Sequence, residues 1–176
     1  MPGAAPCKTF RCDAIAGAAG FTLVEILIVI VIIAIGAAVA VATIERDERG
    51  VAAREARRFA GALEYAATRA QARAETLGVS AEGRVVRFWR RDDETGRWSP
   101  VGDDDTLLAR TLPESFEAAP LTYAGQRVPP NAIVPLKASG RNEPFTFVIA
   151  SPAYRVALAA DPLNRVAING PTPNVR

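Results

Sequence analysis

Residues 17–28 read GAAGFTLVEILI, and Glu25 is the letter that does not fit. The first 20 positions are mostly small, and residues 26–44, which follow Glu25, carry no further charge. A carboxylate taken into hydrocarbon costs about 2.5–3.5 kcal/mol on insertion scales, so an acid kept at the mouth of such a run marks a function. About 19 apolar residues suffice to cross a bilayer as a helix. Residues 26–44 supply that window, with Ile26, Ile30, Ile33, Val39 and Ile44 along it, and predict one span in contact with the lipid bilayer.

A chain of 176 residues has room for one compact domain beside that span. Its formal charge of +2 gives no overall basic field, so no nucleic-acid partner is expected. Both cysteines, Cys7 and Cys12, precede the apolar run, so loss of an N-terminal segment would leave no thiol for a disulfide. The absence of histidine removes the commonest general base and metal ligand.

Two readings of the N-terminus compete. A secretory signal would be cut after the apolar run, within AIGAAVAVA at residues 34–42, and would release a soluble protein. A cut between Gly20 and Phe21 would leave an anchored one. Glu25 favours the second, because that cut exposes the α-amine of Phe21 one helical turn from the acid. In a packed array the acid of one subunit can equally meet the amine of another. Lys8 and Arg11 precede the span and the mixed ERDER of residues 45–49 follows it, which favours the N-terminus on the cytoplasmic side.

Gly20, Phe21, Thr22, Leu23, Val24 and Glu25 resemble the cleavage and methylation motif of type IV pilins and type II secretion pseudopilins. The resemblance implies that residues 1–20 are a leader, that a prepilin peptidase cuts after Gly20 and methylates Phe21, and that Glu25 sets helix register during filament assembly. It further implies a single-pass protein of the bacterial inner membrane with its C-terminal domain in the periplasm. The implied partners are the prepilin peptidase, other pseudopilins and the inner-membrane assembly platform.

Beyond the membrane the helical period continues. Ala52, Ala56, Phe59, Leu63, Ala66, Ala70 and Leu77 recur at spacings of three, four or seven, and no proline falls between Phe21 and Ser99, so one helix is predicted over residues 21–77. Arg54, Arg57, Arg58, Arg69 and Arg73 outnumber Glu55, Glu64 and Glu75 and read as its solvated face. From residue 78 to 169 the pattern becomes that of strands: Val86 and Phe88 alternate with Arg87 and Trp89, residues 93–96 form a turn, and residues 97–101 return as a hairpin partner. Weaker strands are expected at 106–111, 117–124 and 133–137, and clear ones around Phe145 to Ile149, Tyr154 to Leu158 and Val166 to Ile168. The last three form an antiparallel meander with one apolar face for the helix stripe. Adjacent aspartates in the GDDD of residues 102–105 do not point the same way in an extended chain, so no metal site is expected there. Residues 170–176, with two prolines and no apolar period, read as a loose tail.

The fold class is therefore α+β, a long N-terminal helix packed on an antiparallel sheet domain. Together with SGRNEPFTFVI and RVAI near the C-terminus, this order resembles the H-type minor pseudopilins of type II secretion. Relatives often carry glycine before the last strand where this chain has Asn164 and Arg165, and asparagine tolerates a left-handed turn there. No nucleophile and base pair, phosphate loop or zinc-protease motif occurs, so neither an enzyme nor a cofactor is expected. The resemblance implies a structural subunit of a periplasmic pseudopilus that helps export folded proteins, with a minor pilin of a type IV pilus as the alternative.

Overall fold

The computed structural model describes residues 22–174, with the side chains of residues 41–46 left aside. Gly20 and Phe21 fall outside the described residues, as does the side chain of Ile44. The chain divides into two units after Ala40, and a helix α1, Leu23–Ala72, contributes to both. In the first unit, Leu23–Ala40 is one apolar helix without a buried residue.

The second unit is built on the outer part of α1. Ala52, Ala56, Leu63, Ala66 and Ala70 are buried along one stripe, as the helical period predicts. Alanine contributes little area itself, but it lets strands come close to the helix axis. The bulk is supplied from opposite: Phe59 packs edge-on against Phe147 at 5.3 Å between ring centroids, and Phe147 against Phe145 at 5.9 Å. Edge-to-face pairs of this kind contribute about 0.5–1.5 kcal/mol beyond burial.

Two antiparallel sheets form the rest of the core. The first contains β1 (Leu77–Glu82), β2 (Val85–Arg91), β3 (Trp98–Pro100), β4 (Arg110–Thr111) and, further along the chain, Val134–Leu136. The second contains β5 (Glu117–Tyr123), β6 (Gln126–Arg127) and three longer strands, Phe145–Ala150, Tyr154–Ala160 and Val166–Pro173. In chain order the remaining strands are β7 (Val134–Leu136), β8 (Phe145–Ala150), β9 (Tyr154–Ala160) and β10 (Val166–Pro173). The first sheet runs β3-β2-β1-β7 with β4 also on β2, and the second runs β10-β9-β8-β5-β6. The meander expected at the C-terminus is β8-β9-β10, with Phe147 opposite Leu158 and Val166 opposite Ala160.

The structure corrects several boundaries. The helix predicted to residue 77 ends at Ala72, because Ala74 turns left-handed at φ 51°. The Ala74 N–H then bonds the Gln71 carbonyl and the Glu75 N–H the Ala70 carbonyl, the paired closure of a Schellman cap. Leu77 therefore opens β1, a strand the sequence reading missed. Gly78 lies inside β1, where a Cβ would stand 2.5 Å from Ile133 and 2.7 Å from the Trp98 ring, so only glycine lets both close over the strand. Residues 106–111 are mostly not a strand: a 3-10 turn, Asp105–Leu107, precedes the two-residue β4. Over its described part the expected loose tail is ordered, since β10 continues to Pro173 past a bulge between Asn169 and Thr172. Proline is tolerated there because β10 is an edge strand.

Candidate functional site

At the N-terminal end of α1, the Thr22 hydroxyl accepts a hydrogen bond from the Glu25 backbone N–H at 3.3 Å. The Thr22 carbonyl accepts from Glu25 at 3.0 Å and Ile26 at 3.3 Å. Thr22 is thus the N-cap, and Glu25 stands three residues on, the Thr-x-x-Glu spacing of a capping box. Beyond the assembly role expected of it, Glu25 thus has a local one, and its spacing from Thr22 ahead of an apolar run is the sequence signal for it. An acid in the first turn also faces the positive end of the helix dipole, which favours it by about 0.3–1 kcal/mol. Its side chain is exposed, as are Ile26, Ile30, Ile33 and Val39. The structure therefore gathers Glu25 and the apolar span residues on one helix.

The arginines of α1 are not one solvated face. Arg69 is buried and bonds Glu75 at 2.8 Å, Asp103 at 3.0 Å and Asp104 at 2.7 Å. Burial alone would lower the Arg69 pKa, but these three carboxylates hold it above its ordinary value. Asp103 is drawn well below the usual aspartate range by Arg90 and then Arg69. Asp104 is pushed up by burial, yet bonds from the Tyr65 hydroxyl, Arg69 and the Thr106 N–H leave it lowered overall. Two acids of the GDDD run, the largely buried Asp104 and the half-exposed Asp103, thus pair with arginines. Glu55, also buried, pairs with Arg110 of β4. No sequence period reports either burial, because Asp103, Asp104 and Arg110 lie far along the chain and Glu75, six positions from Arg69, lies past the helix end.

Asn164 takes the left-handed conformation its side chain tolerates, φ 63°. Its amide accepts from Asn142 and donates to the Gly140 carbonyl at 3.1 Å, which ties the turn before β10 to the loop after β7.

A model of the prokaryotic N-terminal methylation motif matches residues 15–41, and one of the type II transport protein GspH matches residues 55–168, well over half of the chain. The chain belongs to the GspH family. Among solved structures, this family member resembles the minor pseudopilin EpsH of the Vibrio cholerae type 2 secretion system, at 19% identity and a TM-score of 0.56 over 69% of this chain and 96% of that one. It also resembles the solution structure of E. coli GspH, at 18% identity and a TM-score of 0.54 over 70% and 91%. These likenesses bear on the fold, and they agree with the pilin-like α+β class read from the sequence. No curated protein matches the chain significantly. The H-type resemblance noted on the β-region is the family shown.

Proposed function

We propose that this GspH-family chain is a minor pseudopilin of type II secretion, cut after Gly20, methylated on Phe21 and assembled with other pseudopilins through its apolar helix. The observation that carries the reading is the joining of two features in one chain: the Gly20 to Glu25 motif at the mouth of an exposed apolar helix, and a domain of the GspH family behind it. The motif and the apolar helix fit a single-pass inner-membrane anchor, and the charges flanking the span favour a periplasmic domain.

The physical logic follows from the helix surface. Lipid tails are as apolar as the helix, so its side chains exchange lipid for neighbouring helices at little net hydrophobic cost. Apolar contact alone does not fix stagger, whereas a carboxylate in a low-dielectric bundle must meet a cation. Glu25, held on the first turn by the Thr22 cap, supplies that cue, and the Phe21 amine of its own or a neighbouring chain is the partner. The prepilin peptidase and the assembly platform follow from the same reading.

Glu25→Leu tests it. Membrane insertion of the variant is expected to be unchanged while filament incorporation and exoprotein export are lost. Normal export by Glu25→Leu at wild-type abundance would contradict the assignment.

A further inference from the structure

We propose that Asn169 is a site of spontaneous covalent modification, at which the backbone nitrogen of Gly170 displaces the side-chain amide and water opens the resulting succinimide to an aspartyl or isoaspartyl residue. Nothing in this chemistry depends on the pseudopilin reading; it needs only β9 and β10 as folded.

The step balances with water as the single co-reactant. A bond forms between the Gly170 nitrogen and Cγ of Asn169 while the Cγ–Nδ2 bond breaks, and Nδ2 leaves as ammonia with the Gly170 amide proton. Water then cleaves the ring on either side of that nitrogen. Cleavage at Cγ restores the ordinary backbone with an aspartate, and cleavage at the other carbonyl routes the backbone through the side chain.

Three observations place it at Asn169. Asn169 and Gly170 are exposed on β10, the edge strand of the second sheet, and the Asn169 side chain has no hydrogen bond among the described residues. The ladder is broken at the attacking nitrogen: Asn169 stands opposite Ala157 and Thr172 opposite Arg155, so Gly170 and Pro171 share one opposing residue as a bulge. The bulge also demands glycine. Gly170 sits at φ 112°, and a Cβ on it would stand 2.8 Å from the Arg155 carbonyl oxygen and 3.0 Å from the Thr172 nitrogen. The fold thereby holds beside Asn169 the least hindered successor an asparagine can have.

The other asparagines lack this combination. Asn142 and Asn164 are buried with their amides bonded to each other, and Asn174 donates to the Ser151 carbonyl. Asn131 is exposed, but Ala132 follows it, and its methyl group crowds ring closure. At Asn169 the product sets a carboxylate on the free edge of the sheet. The isoaspartyl form also adds a backbone atom just before the bulge that returns Thr172 to Arg155.

The test holds the full chain, folded in detergent, in heavy-oxygen water at mildly alkaline pH beside a sample unfolded in urea. Each asparagine peptide is followed by mass spectrometry, with electron-transfer fragmentation to separate aspartyl from isoaspartyl forms. In the folded chain the Asn169 peptide is expected to gain the amide-to-acid mass with heavy oxygen and in both isomers, ahead of every other asparagine. Its rate should be no less than about a tenth of that in urea, as befits a locally open site. Asn169→Gln, whose closure needs a larger ring, should remove the leading mass gain from the folded chain. Protection of Asn169 by more than about tenfold on folding overturns the proposal. Conversion of another asparagine first in the folded chain, or an aspartyl product without its isoaspartyl isomer, overturns it equally.

Discussion

Arg69 and Asp104, 35 positions apart, meet through a 2.7 Å hydrogen bond with the arginine side chain only 3% exposed. The bond fastens the acidic loop after β3 to the last turns of α1, and Tyr65 donates a second bond to the same carboxylate oxygen at 2.8 Å. Removing the cation leaves Asp104, 10% exposed, without an ion-pair partner, while Glu75, 16% exposed, keeps only Arg90 at 2.8 Å. Loss of one partner of a buried pair costs about 3 kcal/mol or more. Arg69→Ala should therefore destabilise the domain by that order in urea unfolding of the detergent-solubilised chain, read by the fluorescence of Trp89 and Trp98. A change below about 0.5 kcal/mol would show that the network is no more than a surface ion pair.

The same cluster sets an acid limit. Asp103 and Asp104 both have depressed pKa values in the folded chain, so their contribution is complete above the ordinary aspartate value of 3.8 and is lost as the pH falls through the lower folded values. Stability should be flat near neutrality and decline below pH 4 or so, and the decline should be shallower in Arg69→Ala. Equal slopes in the two proteins over that window would detach the acid response from this network.

A stabilising substitution follows from the end of α1. Ala74 holds the left-handed position of the Schellman cap at φ 51°, a conformation that costs an L-residue about 1 kcal/mol and glycine almost nothing. Ala74→Gly should raise the urea midpoint by the equivalent of about 0.5–1 kcal/mol at unchanged slope. A lowered midpoint would mean that Ala74 contributes packing which outweighs its backbone strain.

The contrast between what could and could not be read from the sequence follows from where each partner lies. Glu25 stood out because a single charge beside a long apolar run is anomalous without any fold. β8 and β9 showed themselves because Phe145, Phe147, Val156 and Leu158 face a core on one side only, which imposes alternation. β1 did not, because it lies between β2 and β7 and is buried along nearly its whole length, so LGVSAE has no alternation to show. The helix end was hidden because alanine stands where glycine is the usual signal. Arg69 and Glu55 read as surface charges since the residues that neutralise them, Asp103, Asp104 and Arg110, come from loops and strands far along the chain.

The central claim concerns the bond after Gly20. Mass spectrometry of the N-terminal peptide of the mature protein, purified from membranes of cells that express a prepilin peptidase, tests it most directly. The expected species begins at Phe21 and carries one added methyl group on its α-amine. A chain that retains Met1, or one that begins beyond residue 36 as a cleaved secretory signal would leave it, contradicts the account.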